Sequence, residues 1–304
     1  MAKVITRRRN ALKETKADVV FNALNMTIAT VILILVIYPL IYVISASFSS
    51  GDALARGQVW LWPVQFTLEG YRRMLGANSI VRGYTNSLLY MFVGTIYNVF
   101  ITILAAYPFS RKDFCGRGIF LAIFMFTMFF GGGLIPSYLL IRDLGMIDTM
   151  WAIIIPGAFS MSNVIITMTF LRNTIPSDLL EAAQIDGCGD IKFLFKVVVP
   201  LSTTIIAVLA LWYAVRHWNS FFSAMIYLND TKKWPLQLVL RDILVRNIVK
   251  DMEMLDIEKD MNRTTLQYLL KYSLIVVSTL PMMILYPFVQ KYFVKGVMVG
   301  SVKG

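Results

Sequence analysis

The sequence predicts an all-α integral membrane protein with six transmembrane helices. Of its 304 residues, 57% are hydrophobic and only 15% are charged, whereas a soluble domain is roughly half apolar and a quarter charged. The apolar residues are concentrated in stretches of about 20, the length that a helix needs to cross roughly 30 Å of hydrocarbon. Soluble globular classes are therefore disfavoured. The net charge of +11 is expected to face a membrane surface rather than nucleic acid, because the basic residues lie between the apolar runs.

Six stretches have the length and composition of a membrane span. Every Asp and Glu of the chain lies outside them, so we expect no carboxylate within the bilayer. The predicted spans are residues 27–48, 85–107, 119–141, 150–171, 201–226 and 266–290.

Basic residues indicate the orientation of these spans. The cluster Arg7, Arg8 and Arg9 directly precedes the first span, and basic residues next to a span favour the cytoplasmic side. We therefore expect residues 1–26 and the tail 291–304 to be cytoplasmic, on either side of a transmembrane domain at 27–290. A cleaved signal peptide is disfavoured, because the first apolar run is longer than the usual 7 to 15 residues.

The third span contains a break in its helical pattern. Gly131, Gly132 and Gly133 are followed by Pro136. Backbone groups freed by such residues must be satisfied by neighbouring helices or by a wet cavity, so a broken helix often lines a pathway. A packing kink, where small residues let two helices approach, is the alternative. The sequence leaves both open.

The gap at residues 172–200 predicts a short helix-turn-helix on the cytoplasmic face. Pro176 suits a first helical turn, and Gly187 suits the position just past a helix C-terminus. Asp190 can cap a second helix, which Pro200 would limit or kink. The apolar residues of this gap are too few for a domain core and too regular for a simple linker.

The same gap resembles the EAA loop of binding-protein-dependent ABC importer permeases. The family pattern, E-A-A-x-x-x-G followed by I-x-L-P, is kept in spacing, with Val197 and Val199 in place of Ile and Leu. The resemblance implies a coupling helix that docks on an ATPase. The coupling residues would be Glu181, Ala182, Ala183, Asp186, Gly187 and Pro200.

Further strings resemble the smaller permease subunit of carbohydrate importers, and within that group the oligosaccharide and uronic-acid-polymer systems. The strings similar to the smaller subunit are Asn86-Ser87-Leu88, the run from Ala105 to Arg111 and the terminal Val302-Lys303-Gly304. Those that look most like the oligosaccharide and uronic-acid-polymer permeases are the break from Gly131 to Pro136 and Leu61-Trp62-Pro63 ahead of Thr67. The resemblance implies the type I ABC importer permease fold in a bacterial cytoplasmic (inner) membrane, and an oligosaccharide substrate. The most specific substrate that the resemblance implies is an acidic oligosaccharide derived from pectin or alginate. A neutral oligosaccharide is the alternative.

The resemblance also implies the partners. They are a second homologous permease subunit, two ATPase subunits, an extracytoplasmic solute-binding protein and membrane lipid, with no nucleic acid. The chain lacks G-x-x-x-x-G-K-[ST], so ATP and Mg²⁺ are expected on the partner ATPase. We expect no enzymatic activity, no cofactor in this chain and no metal, since the single His has no second His or nearby Cys.

The gap at residues 227–265 is expected outside. Residues 234–248 are amphipathic and too short to span, so they could lie at the membrane interface or against a partner. In the family, the loop after the fifth span reaches the ligand cleft of the binding protein. That role would fall to Asn229, Asp230, Thr231, Lys232, Lys233 and Trp234. A surface loop with Trp234 anchored at the interface is the alternative.

Aromatic and hydrogen-bonding side chains within the spans are candidates for the sugar pathway, although each is more often a packing residue. They are Tyr97, Asn98, Phe130, Asn163, Trp212, Tyr213 and Trp218. Arg216 and Lys271 could face a wet cavity suited to an acidic sugar, but snorkelling to the outer surface is favoured. The alternative function is an ATP-independent secondary carrier or channel for small polar solutes. The EAA pattern and the acid-free spans both count against it.

Overall fold

The computed structural model describes residues 15–246 and 263–301, and these residues contain helices and turns but no β-strand. The helices are α1 (Lys16–Ser47), α2 (Gly51–Ala55), α3 (Glu69–Gly76), α4 (Asn78–Ser110), α5 (Arg117–Phe129), α6 (Leu134–Asp143), α7 (Trp151–Ile154), α8 (Met161–Thr174), α9 (Ser177–Ile185), α10 (Asp190–Phe193), α11 (Val199–Leu201), α12 (Thr203–Trp218), α13 (Phe221–Tyr227), α14 (Leu236–Arg246) and α15 (Arg263–Ser301).

Three helical segments are long and apolar enough to cross a membrane without a break: α1, α4 and Tyr268–Pro287 within α15. Three bent pairs pass the same test together: α5 with α6, α7 with α8, and Asp190–Leu201 with α12. The described residues therefore supply six spans if each bent pair crosses once, as the sequence predicts. The first helix begins at Lys16, before the predicted span, where Thr15 and Asp18 form a reciprocal cap.

The bends differ in how far the sequence anticipates them. The α5–α6 bend is 113° and lies at the predicted glycine break, where Gly133 has a φ of 83°. The α7–α8 bend of 54° was not predicted, although Pro156 and Gly157 mark it. The predicted span 201–226 is also interrupted, because α12 ends at Trp218 and the chain resumes as α13.

The long helix α4 packs against α8, α12 and α14. Close packing against α12 depends on Gly94, where an added Cβ would lie 2.5 Å from Nε2 of His217. Toward the end of α4 that carries Tyr107, an apolar cluster joins it to α8 and α10. Near its other end, a second cluster around Met74 and Trp218 joins it to α14 and α15.

One expectation for the loops changes on this fold. Residues of the amphipathic segment form α14, whose Leu236, Leu238 and Val239 are buried in the chain's own core, so this stretch is not a membrane-surface helix. Its apolar face is covered by neighbouring helices instead. The predicted tail 291–304 begins inside α15, which continues to Ser301, and residues 302–304 and 247–262 lie outside the described residues.

Helix α1 is exposed along most of its length. Its side chains are exposed up to Ile41, with Met26 at 72% and Leu35 at 68%, and only its last turns pack on α15 and α2. A soluble monomer rarely exposes so large an apolar surface. Lipid or another membrane helix is the environment that this surface requires.

Candidate functional site: coupling segment, external loop and membrane pocket

The coupling segment, residues 172–200, has the predicted helix-turn-helix form. Pro176 is the N-cap of α9, and Gly187 follows its end with a φ of 70°, a conformation that glycine adopts without strain. Helix α10 then begins at Asp190. A π-helical turn carries the chain on to α11, which contains Pro200 and precedes a bend of 83°.

The two faces of this segment differ in exposure. Leu180 and Ala183 pack against the cluster that joins α4 to α8. Glu181, Ala182 and Asp186 are exposed, and Glu181 makes no ion pair with any residue in the described ranges. The two most exposed large apolar side chains of the segment are Ile185 at 87% and Ile191 at 75%. Exposed apolar groups beside the EAA residues suit a protein partner.

Arg111 links the coupling segment to the end of α4 through ion pairs and hydrogen bonds. Its side chain is only 12% exposed and forms ion pairs with Asp113 and with Asp190 of α10. Its Nε donates to Oδ1 of Asp113 at 2.9 Å, and Nη1 donates to the Tyr107 hydroxyl at 3.2 Å. These hydrogen bonds, that to Asp113 first, raise the pKa of Arg111 above its usual range. Its charge is therefore permanent.

Arg172 adds a second connection between these elements. Its Nη2 donates to the Phe109 carbonyl at 3.0 Å. Arg111, Arg172 and Glu181 line one cleft of about 680 Å³ beside α9. Arg111 and Asp190 were not among the predicted site residues, because the sequence separates them by 79 positions.

The loop Asn229 to Trp234, which the sequence predicts to be external and which we call the external loop, is organised around Asp148. The carboxylate accepts the backbone N–H groups of Asn229 and Asp230 at 3.1 and 3.0 Å, and Nζ of Lys233 donates to it at 2.8 Å. These contacts, the Lys233 hydrogen bond first, hold the pKa of Asp148 below its usual value. Asp148 was not predicted, because its partners lie more than 80 residues away.

The loop is also hydrogen-bonded to the N-terminal half of α4. The Tyr90 hydroxyl donates to the Lys233 carbonyl at 2.7 Å, and the Asn86 amide donates to the carbonyls of Lys232 and Trp234 at 2.9 and 3.0 Å. Thr231–Lys233 form one 3₁₀ turn capped by Asp230. Asn229, Thr231 and Lys232 are exposed at its tip. Trp234 is half-buried and donates to the Leu228 carbonyl at 3.3 Å.

A pocket of about 290 Å³ lies between the α7–α8 bend and the α12–α13 break. Nη1 of Arg216 donates to the Gly157 carbonyl at 2.9 Å. An added Cβ at Gly157 would lie 2.5 Å from Nη2 of Arg216, so any larger residue there would force the guanidinium to shift. The other polar residues that line the pocket are His217, Asn219, Ser220 and Ser223.

The predicted pathway residues fall into two groups. Asn98, Tyr213 and Trp218 are buried between helices. There the Asn98 amide contacts Nε2 of His217 at 2.9 Å, and Trp218 Nε1 donates to the Ser278 carbonyl at 2.9 Å. The remaining four are more accessible: Tyr97, which packs edge-on against Trp151, Asn163 and Trp212, which are half-buried, and Phe130, which is exposed at the glycine break.

Within residues 15–246 and 263–301, no cluster of three or more His, Cys, Asp or Glu residues could hold a metal ion.

The comparisons with known proteins agree on one family. The model of the family described as "Binding-protein-dependent transport system inner membrane component" matches residues 83–299. Protein LplC of Bacillus subtilis (strain 168) is 38% identical over 295 residues, or 97% of this chain and 99% of LplC. The polygalacturonan/rhamnogalacturonan transport system permease protein YtcP of the same organism is 40% identical over 268 residues, or 88% of this chain and 93% of YtcP.

One solved structure is similar over most of its length. It is the crystal structure of a bacterial ABC transporter involved in the import of the acidic polysaccharide alginate. The matched chain is 32% identical with a TM-score of 0.82, and the match covers 92% of this chain and 99% of that one.

Proposed function

The chain belongs to the family of binding-protein-dependent transport system inner membrane components, and from this premise we propose that it imports acidic, uronic-acid-containing oligosaccharides. It is a permease subunit of an ABC importer for carbohydrates in the inner membrane, and such a permease works with an ATPase and a solute-binding protein. Family membership disfavours the ATP-independent carrier or channel.

The likeness to two acidic-polymer importers carries the substrate proposal. YtcP is named for polygalacturonan and rhamnogalacturonan, and the solved structure for alginate. All of these are polymers that contain uronic acids. Both relatives match at least 88% of this chain at 32% identity or more.

The proposed assembly pairs this chain with a second permease, two ATPase subunits and one extracytoplasmic binding protein. ATP and Mg²⁺ are bound by the ATPase subunits, and this chain has no catalytic site of its own. Both termini and the coupling segment lie in the cytoplasm, while the external loop faces the binding protein. The basic N-terminal cluster supports this orientation.

Glu181 and its exposed neighbours form the ATPase docking surface in this proposal. Ile185 and Ile191 support the assignment, because they are apolar and exposed on a segment that we place outside the bilayer. Burial against a partner would remove that apolar surface from water and would stabilise the complex by roughly 25 cal/mol per Å² of apolar surface buried. Gly187 allows the turn that presents both isoleucines.

The coupling role is tested by Glu181→Lys. We expect at least a tenfold loss of ATP-driven uptake in liposomes that contain the complete importer, with the permease pair still in the membrane. Asn173→Lys is the matched control, since it adds a cation at an exposed position just outside the motif. Normal uptake by Glu181→Lys would refute the docking assignment, as would an equal loss in the control.

The substrate class is tested on the partner binding protein. We expect trigalacturonate to raise its melting temperature more than a neutral trisaccharide of galactose does. A larger shift with the neutral sugar would overturn the acidic-substrate proposal and leave the permease assignment intact.

A further inference from the structure

We propose that the pocket beside Arg216 binds a carboxylate of the substrate as it crosses the membrane. The proposal rests on the acidic substrate proposed above, and adds the group within the bilayer that selects it. Four observations support it: the position of the pocket, the missing counter-charge of Arg216, the space left for its guanidinium, and the polar groups around it.

The pocket lies where two helices are interrupted. One wall is the turn at Pro156 and Gly157, and the other is the break at Asn219 and Ser220. Non-helical backbone at membrane depth is tolerated where it lines a cavity, and transporters place substrate sites at such breaks. Arg216 lies about 20 Å along α12 from its start at Thr203, at 1.5 Å per residue, in the last turn of that helix and within the predicted span 201–226.

Arg216 has no carboxylate partner in the described part of the chain. The chain also has no Asp or Glu in the predicted spans that could supply one. A guanidinium has five N–H donors, and the contact with the Gly157 carbonyl uses one of them. An ionised group at this depth is costly and generally marks a substrate or ion pathway.

The surrounding chain holds the guanidinium at the pocket. The hydrogen bond to Gly157 directs it toward α7 and α8, across the pocket wall. A side chain at position 157 would displace the guanidinium, because an added Cβ would lie 2.5 Å from Nη2. This geometry differs from snorkelling, in which the side chain extends along the helix toward the head groups.

The remaining lining matches a sugar acid. A planar guanidinium binds a carboxylate through two parallel hydrogen bonds. Ser220, Ser223 and Asn219 border the same space and provide groups that donate to and accept from sugar hydroxyls. A volume of about 290 Å³ is at the lower limit for small-molecule sites, and we therefore assign it one sugar unit of the chain rather than the whole oligosaccharide.

The test is uptake of labelled trigalacturonate by liposomes that contain the complete importer, with assembly checked by co-purification. Arg216→Gln retains a donor for the Gly157 carbonyl but loses the charge, and we expect at least a tenfold decrease. Arg216→Lys retains the charge, and we expect uptake at least fourfold above that of Arg216→Gln. Lys271→Gln is the control, because it removes a second cation in a predicted span, and that cation lies over the Tyr272 ring and outside the pocket. We expect its uptake to stay within twofold of wild type.

Three outcomes would overturn the inference while leaving the proposed function intact. They are wild-type uptake by Arg216→Gln, equal losses in the Gln and Lys variants, and an equal loss in Lys271→Gln. Failure of the wild-type importer to take up trigalacturonate, with a neutral oligosaccharide imported instead, would refute the acidic substrate itself. Uptake of trigalacturonate by the wild-type importer therefore distinguishes a failure of this inference from a failure of the proposed function.

Discussion

Asp190→Asn tests whether the Arg111–Asp190 ion pair transmits force between the coupling segment and the membrane domain. Asp190 begins α10, whereas Arg111 directly follows α4. The substitution removes one carboxylate charge and preserves the size of the side chain. Arg111 keeps its pairing with Asp113, so the guanidinium is not left without a partner.

The magnitude follows from the exposure of the two groups. The Asp190 side chain is 64% exposed and that of Arg111 only 12%. Exposed ion pairs contribute about 0.2 to 1 kcal/mol, and the nearly buried guanidinium places this one at the upper end. A loss of about 1 kcal/mol corresponds to a fivefold change in an equilibrium constant. We therefore expect the sugar imported per ATP hydrolysed to fall two- to fivefold.

The assay measures ATP hydrolysis and uptake together in liposomes that contain the complete importer. Asp113→Asn is the matched control, because Asp113 contacts the same guanidinium but lies only two residues from Arg111 and links no separate element. We expect the control to keep the wild-type ratio. Equal effects of the two substitutions, or an unchanged ratio in Asp190→Asn, would refute the linkage.

Two further predictions concern the loops at either end of the molecule. Gly187→Ala should weaken ATPase binding about fivefold in titrations, because its φ of 70° is strained for alanine by roughly 1 kcal/mol. Gly189→Ala, with extended backbone and equally open space, should not; equal losses would refute the strain argument. Because the pKa of Asp148 is lowered in the folded chain, its contribution to stability is complete above the ordinary aspartate pKa of 3.8 and is lost only as the pH falls through the lower folded value. Binding-protein-stimulated ATPase should then show no step from Asp148 between pH 5 and 8, while Asp148→Asn lowers it two- to fivefold throughout and the exposed-site control Arg142→Gln does not. A wild-type step in this window that Asp148→Asn abolishes would contradict the assignment.

Features that depend on local backbone chemistry could be predicted from the sequence. The turn after α9 needs a residue that tolerates positive φ, and Gly187 identifies it directly. The break near Gly133 follows the same logic. Pro156 and Gly157 carried an equivalent signal for the α7–α8 bend. It was missed because the residues that lead into it, from Met150 to Ile155, are uniformly apolar.

Features that depend on packing could not be predicted in this way. Asp148 reaches Lys233 across 85 positions, and no local pattern specifies which carboxylate meets which cation. The position of Arg216 at the pocket follows from the approach of α12 to Gly157, which only the folded chain defines. Its place beside His217 in an acid-free span was the one sequence signal available, and it did not distinguish a pocket from a snorkelling side chain.

Helix α4 connects the two functional loops. It has 33 residues and is therefore about 50 Å long at 1.5 Å per residue. Tyr90, about 18 Å from the start of α4 at 1.5 Å per residue, donates to the Lys233 carbonyl of the external loop, and Arg111 just past the other end pairs with Asp190 of the coupling segment. A helix packed on several sides moves as a rigid body more readily than it bends, because packed interiors resist deformation. Displacement of the coupling segment by an ATPase would therefore reach the external loop through α4 alone. The Arg216 pocket adjoins this path, because it is lined by residues of α12, which packs on α4.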